Sequence, residues 1–135
     1  MPTLTLPSTI ESEVEKHSLL RHPFYLAWSA GKLTREQLAG YAKEYYFLAK
    51  NVPAVMEAIK ENLPKNASDA TRVTFAKHAE EEREHIELWE RFATSLGVSE
   101  KELEAYEPTG TVKEAVASIV EAASEGFEEG IAAMY

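Results

Sequence analysis

An all-α protein is predicted by three features of this sequence. Apolar residues recur at helical spacing through almost every segment. Helix-start signals of the Ser/Thr-x-x-Glu/Gln kind stand before several of those segments. No stretch alternates apolar and polar residues as a half-buried strand would.

Ser8-Thr9-Ile10-Glu11 reads as a capping box that opens a first helix, running to about Leu20. His22 to Ala30 is a short apolar helix, and Gly31 supplies a left-handed cap to end it. A second capping box, Thr34-Arg35-Glu36-Gln37, starts a long helix that reaches about Asn62. Pro53 lies inside that helix, where its ring and missing N–H should kink it. After Leu63-Pro64 and a polar turn, Lys65 to Ser68, comes another long helix, closed by Gly97. Ser99-Glu100-Lys101-Glu102 opens one short helical turn, and Pro108-Thr109-Gly110 is a loop. Thr111 to Glu114 begins the last helix, whose apolar side is Val116, Ile119, Val120, Ala123, Phe127 and Ile131. It is still apolar from Ile131 to Tyr135, without a Gly cap or basic last turn. Either the chain is a truncated piece, or this end docks against something.

At 135 residues the chain is read as one domain. A share of 44 % hydrophobic and 27 % charged residues is that of a soluble globular protein. With 23 acidic against 14 basic residues the formal charge is -9. That balance, without a basic aromatic-rich run, excludes a nucleic-acid surface and disfavours an anionic membrane. The absence of cysteine removes disulfides, thiolate ligands and thiol nucleophiles together. Met1 to Pro7 has no secretion-signal pattern, and no apolar run is long enough to span a bilayer. The expected compartment is the cytoplasm.

One helix carries the chemistry. Phe75, His78, Glu82, His85, Trp89, Phe92 and Leu96 follow at steps of three and four, which places them on one stripe. Phe75, Leu88, Trp89, Phe92 and Leu96 would make an ordinary core face. His78, Glu82 and His85 interrupt it, with Glu81 just beside. Buried ionisable groups need a partner or a metal, so something polar is expected to be held inside the bundle. Glu82-Arg83-Glu84-His85 is an E-x-x-H, the spacing one helix of a carboxylate-bridged di-metal bundle requires; carboxylate and imidazole suit iron, manganese or zinc. The plainer alternative is a solvated acidic face, Glu80 to Glu84, beside two satisfied histidines. A second cluster is aromatic, with Phe24, Tyr25, Trp28, Tyr41, Tyr45, Tyr46 and Phe47. Such clusters are more often core than site, although tyrosine hydroxyls near a metal can donate hydrogen bonds, carry radicals or serve as substrate. His22 either caps a helix or lines a pocket.

The run His22 to Thr34, with Gln37-Leu38 and Tyr41-Ala42-Lys43-Glu44-Tyr45-Tyr46, closely resembles the heme-oxygenase-like di-iron oxidases. His85-Ile86-Glu87-Leu88-Trp89, Arg91-Phe92-Ala93, Leu96-Gly97-Val98 and the end from Gly130 to Tyr135 extend the match over nearly the whole chain. The nearest group is the CADD-like para-aminobenzoate synthases; pyrroloquinoline-quinone synthases and thiaminase II are more distant. The resemblance implies a heme-oxygenase-like helical bundle, of which this chain is the N-terminal half, completed by oligomerisation. It implies that His85 is the first histidine ligand. Seven residues earlier, where the family places a glutamate ligand, stands His78. Either His78 takes its place, or Glu81 or Glu82 does after a local shift. It also implies that Tyr25 is a tyrosine consumed as aromatic precursor and Tyr41 a second active-site tyrosine. The family's second glutamate ligand falls just after Tyr135, and its His/Asp/His set lies on a later helix.

The expected function is therefore a metal-dependent, di-iron oxidase or oxygenase acting on a small aromatic or amino-acid-derived substrate. Iron, or manganese, would be held by His78, Glu81, Glu82 and His85, with Tyr25, Tyr41 and His22 as catalytic or pocket residues. The missing ligands would come from a homodimer partner or a complementary second chain. A non-enzymatic half-bundle forming a helical dimer, or a ferritin-like metal-binding protein, is the alternative.

Overall fold

The computed structural model describes residues 5–134 and contains helices and no strand among them. The chain divides between Thr34 and Arg35 into two compact units.

In the first unit, α1 (Leu6–Lys16) starts two residues before the expected Ser8. Thr5 is the cap, its hydroxyl accepting the Ser8 N–H at 3.4 Å, and proline occupies the first turn. The helix also stops short of Leu20. His17 caps it, and Ser18 at ψ 122° leads into a 3₁₀ turn, Leu19–Arg21. Helix α2 (Pro23–Ser29) follows the expected bounds closely, and Gly31 ends it at φ 65°. Its cap is His22, whose Nδ1 accepts the Phe24 N–H at 3.1 Å. Phe24 and Trp28 meet edge to face, centroids 6.0 Å apart.

In the second unit, α3 (Arg35–Glu61) is the long central helix, with Pro53 buried inside it. Helix α4 (Asp69–Ser95) is capped by Ser68, whose hydroxyl accepts the Thr71 N–H at 3.1 Å. Gly97 at φ 88° closes it: the Gly97 and Val98 N–H groups return to Thr94 and Ala93, a Schellman motif. The capping box at Ser99 forms as expected and opens α5 (Glu100–Ala105). The single last helix expected from Thr111 is instead two, α6 (Gly110–Glu125) and α7 (Phe127–Met134). Gly126, extended at φ 178° and ψ 171°, separates them. The break lets α7 approach α3 closely: a Cβ on Gly130 would lie 2.6 Å from Ile59 and 3.2 Å from the Ala123 backbone. Phe127 and Met134 thereby pack on the core, so the apolar end is partly covered; Ile131 is still 38 % exposed, and Tyr135 lies outside the described residues.

Two core clusters run along α3. One gathers Val52, Val55, Met56 and Ile59 with Ala79 and Ala123; the other gathers Ala42 and Tyr46 with Ala93, Val98 and Leu103. The inner line of α4 is Ala79, Ile86 and Ala93, spaced by seven, with the two alanines fully buried. Small side chains bring two helices close together. The aromatic stripe of α4 flanks that line and does not form it.

Candidate functional site

The central expectation about α4 needs correction. No polar or charged residue is buried among the described residues. His78 and His85 are exposed, and Glu81 and Glu82 are half-buried. The reason is rotation: with Ala79, Ile86 and Ala93 against α3, helical geometry places Glu82 and Trp89 at the edge of the seam. His78, His85 and Glu81 lie further round, facing outward.

At that edge a groove of about 290 Å³ opens between α3 and α4. Tyr45, Ala49 and Val52 form one wall; Glu82, His85, Leu88 and Trp89 form the other. His85 Nδ1 lies 3.1 Å from Glu82 Oε2, the i, i+3 contact that an E-x-x-H makes on one turn. With Glu82 ionised, Nδ1–H donates, and Nε2 is the nitrogen of a neutral ring left with a lone pair. A carboxylate holding imidazole in this way is the arrangement that orients metal-binding histidines. The Glu82 side chain is 30 % exposed and that of His85 58 % exposed. The remaining expected ligands are elsewhere. Glu81 pairs with Lys77 at 3.6 Å, and His78 meets the edge of Phe75 with centroids 6.3 Å apart. Among the described residues no group of three His, Asp or Glu side chains is placed to hold a metal ion. The described residues by themselves therefore do not fit a di-metal site.

Aromatic residues support the groove. Trp89 Nε1–H donates to the Ala42 carbonyl at 2.7 Å, which fixes the indole against α3. Tyr45 lies on it at 4.5 Å between centroids, and Tyr41 stands 5.6 Å from Tyr45 and 5.8 Å from Trp89. Burial, with a smaller contribution from Tyr45, raises the Tyr41 phenol above its ordinary range, so it remains a protonated donor. Tyr46 is raised further, by burial first and then by its hydrogen bond to Glu90 at 2.7 Å.

Tyr45 also borders a second cavity of about 290 Å³, between α3 and α6, where Tyr41, Leu48, Val116 and Ile119 present apolar surface. Glu44 sets the position of α6. Its carboxylate accepts the Tyr106 hydroxyl at 2.7 Å and the Thr109 N–H at 3.2 Å. The hydrogen bond to Glu44 raises the Tyr106 phenol. The sequence reading placed Tyr45 in the aromatic cluster and Leu88 on a core face, and gave neither of them, nor Glu44, a place in the site. The signals were present: Leu88 and Trp89 sit one turn beyond His85, and Tyr45 one turn beyond Tyr41. Tyr25, 42 % exposed on α2, and its capping neighbour His22 belong to the first unit.

A family model described as the TENA/THI-4/PQQC family matches residues 12–135. The chain belongs to this family. It is 36 % identical over 130 residues to a 4-aminobenzoate synthase of Chlamydia muridarum, covering 93 % of this chain and 54 % of the relative. A 4-aminobenzoate synthase of Nitrosomonas europaea is 32 % identical, with 100 % of this chain and 59 % of the relative covered. A pyrroloquinoline-quinone synthase of Ectopseudomonas mendocina is 30 % identical, over 62 % of this chain and 35 % of the relative. The chain spans about half the length of the curated relatives it matches. An all-α, heme-oxygenase-like bundle is accordingly its fold class. No helix among the described residues is long and apolar enough to cross a membrane.

Proposed function

We propose that this TENA/THI-4/PQQC chain contributes one half of a metal-dependent oxidase or oxygenase site. The observation that carries the reading is the Glu82–His85 contact at the mouth of an aromatic-walled groove. His85 would bind iron or manganese, Glu82 would orient its ring or share the ligation, and Glu81 or His78 would add a donor from α4. Bound metal would supply dioxygen activation. The chain's own residues do the rest. Tyr45 and Trp89 line opposite walls of the groove with aromatic surface. Tyr41, in the neighbouring cavity that Tyr45 also borders, would offer a protonated hydroxyl to a small aromatic or amino-acid-derived substrate. The relatives named 4-aminobenzoate synthase favour a tyrosine-derived precursor, which here would be Tyr25 on α2, held by its His22 cap. On this reading the remaining ligands lie outside these 135 residues, and these residues by themselves should be poorly active.

Elemental analysis of protein purified without chelator tests the metal; stoichiometric iron or manganese is expected. After reduction and exposure to oxygen, the iron-loaded protein should show an altered mass in the Tyr25 peptide, abolished by Tyr25→Phe. An unmodified Tyr25 in protein shown to be iron-loaded would remove the self-consuming chemistry. The absence of three converging donors among the described residues favours a second reading, a metal-poor half-bundle whose α4 face serves only for association.

A further inference from the structure

On the face of α3 opposite the groove, where α5 and the turn after it approach, lies a smaller cavity of about 150 Å³. Lys43, Phe47 and Lys50 step by four and three and line it from one stripe of α3. Glu104, Tyr106 and Pro108 line it from the other side. The proposed metal function uses none of these residues.

Charges of both signs meet here without cancelling. Neither Lys43 nor Lys50 forms an ion pair among the described residues, although the chain has 23 acidic residues against 14 basic. Each ammonium lies instead over a tyrosine ring: Lys43 Nζ is 5.7 Å from the centroid of Tyr106, and Lys50 Nζ is 5.4 Å from that of Tyr46. A ring face attracts a cation but brings no charge to neutralise it. Both rings are fixed in turn, since Tyr106 donates its hydroxyl to Glu44 and Tyr46 donates to Glu90, each at 2.7 Å. The lysines are thereby held at the cavity. On the other side Glu104 is exposed and likewise in no ion pair among the described residues, whereas Glu107 is already paired with Lys113 at 2.6 Å.

We infer that this cavity binds a single free α-amino acid with an apolar or aromatic side chain. Lys43 and Lys50 take its carboxylate, Glu104 takes its ammonium, and the side chain rests on Phe47 and Pro108. Size and charge select this class of ligand. A space of about 150 Å³ holds one small molecule and not a stretch of peptide. An anion without an ammonium satisfies the lysines but is repelled by Glu104, and a cation meets the reverse difficulty. A zwitterion answers both signs through charge-assisted hydrogen bonds. Once bound, it ties α5 and the turn after it to α3.

The test is an NMR titration of the full chain with L-phenylalanine, following the backbone amide signals. Saturating shifts are expected around Phe47, Glu104 and Tyr106. N-acetyl-L-phenylalanine, which lacks the ammonium, and L-phenylalaninamide, which lacks the carboxylate, should each bind at least about tenfold more weakly. Lys50→Ala and Glu104→Ala, both at exposed positions and expected to keep the wild-type circular dichroism, should lose a similar factor. Lys43→Met keeps the apolar stem and removes only the charge, so its loss reports the ammonium and not the packing. An acetylated analogue that binds as well as phenylalanine overturns the zwitterion site and leaves a site for anions only. Shifts centred on Tyr45 and Trp89 place the ligand in the α3–α4 groove and overturn it too, as does the lack of any saturable shift up to the solubility limit. None of these outcomes bears on the metal function, which rests on other residues.

Discussion

The two long sides of α4 obey different rules. Towards α3 it presents Ala79, Ile86 and Ala93, and the two alanines have no exposed surface. Outside that line it presents His85 and Leu88 at the groove it forms with α3, and His78 and Glu81 further round, all open to solvent to a substantial degree. The inner side is held by close contact between small buried residues; the outer side carries exposed residues whose contacts are surface ion pairs and ring edges, worth little to stability. Chemistry-bearing residues on a surface the fold leaves alone are the ones to test for function.

The largest expected contrast comes from substitutions that remove packing. Ile59, fully buried between α3, α4 and α7, should lose about 2–5 kcal/mol on Ile59→Ala, whereas His85→Ala should stay within about 0.5 kcal/mol. Urea unfolding of the two variants measures both. Gly130→Leu should destabilise comparably to Ile59→Ala, since even a Cβ meets Ile59 at 2.6 Å. A wild-type-like midpoint there would remove the close approach of α7.

Trp89 lies at the boundary between the two sides and should give an intermediate effect. Trp89→Phe leaves the Ala42 carbonyl without its side-chain donor, a loss of about 1 kcal/mol together with the indole volume. It should also alter the groove, so any metal affinity should fall with it, which His85→Ala would do without the stability change.

A smaller effect concerns pH. The hydrogen bonds of Glu57 to Lys60, and then to Arg83, hold its carboxyl below the ordinary range. A lowered folded-state pKa gives stability that is present above the ordinary carboxylate range and is lost as pH falls through it. The pair is exposed enough for solvent to screen most of this. Glu57→Gln should flatten the acid limb of a stability–pH profile slightly, and its slope should also fall with added salt.

Much of this division was legible in the sequence. The capping box at Ser99, the glycine stops at Gly31 and Gly97 and the length of α4 are local chemistry, and local chemistry is what sequence displays. The orientation of α4 was not. Phe75, Trp89, Phe92 and Leu96 are large and draw attention as a core face, yet close helix packing selects small residues, and Ala79 and Ala93 carry no such signal by themselves. Placing the aromatics at the centre put His78, Glu82 and His85 inside; placing the alanines there moves the histidines out and Glu82 to the rim. The break at Gly126 was hidden for a related reason. Its need arises from Ile59, far away in the chain, and the apolar pattern continues across it unchanged.

The central claim is that the outward face of α4 serves binding and not the fold. Titration of the chain with Mn²⁺, run on wild type and His85→Ala with the unfolding midpoint of each sample recorded, tests it most directly. Wild type should bind one ion per chain, and the variant should bind at least about tenfold more weakly with an unchanged midpoint. A wild type that takes up no metal, or a variant destabilised as strongly as Ile59→Ala, would contradict it.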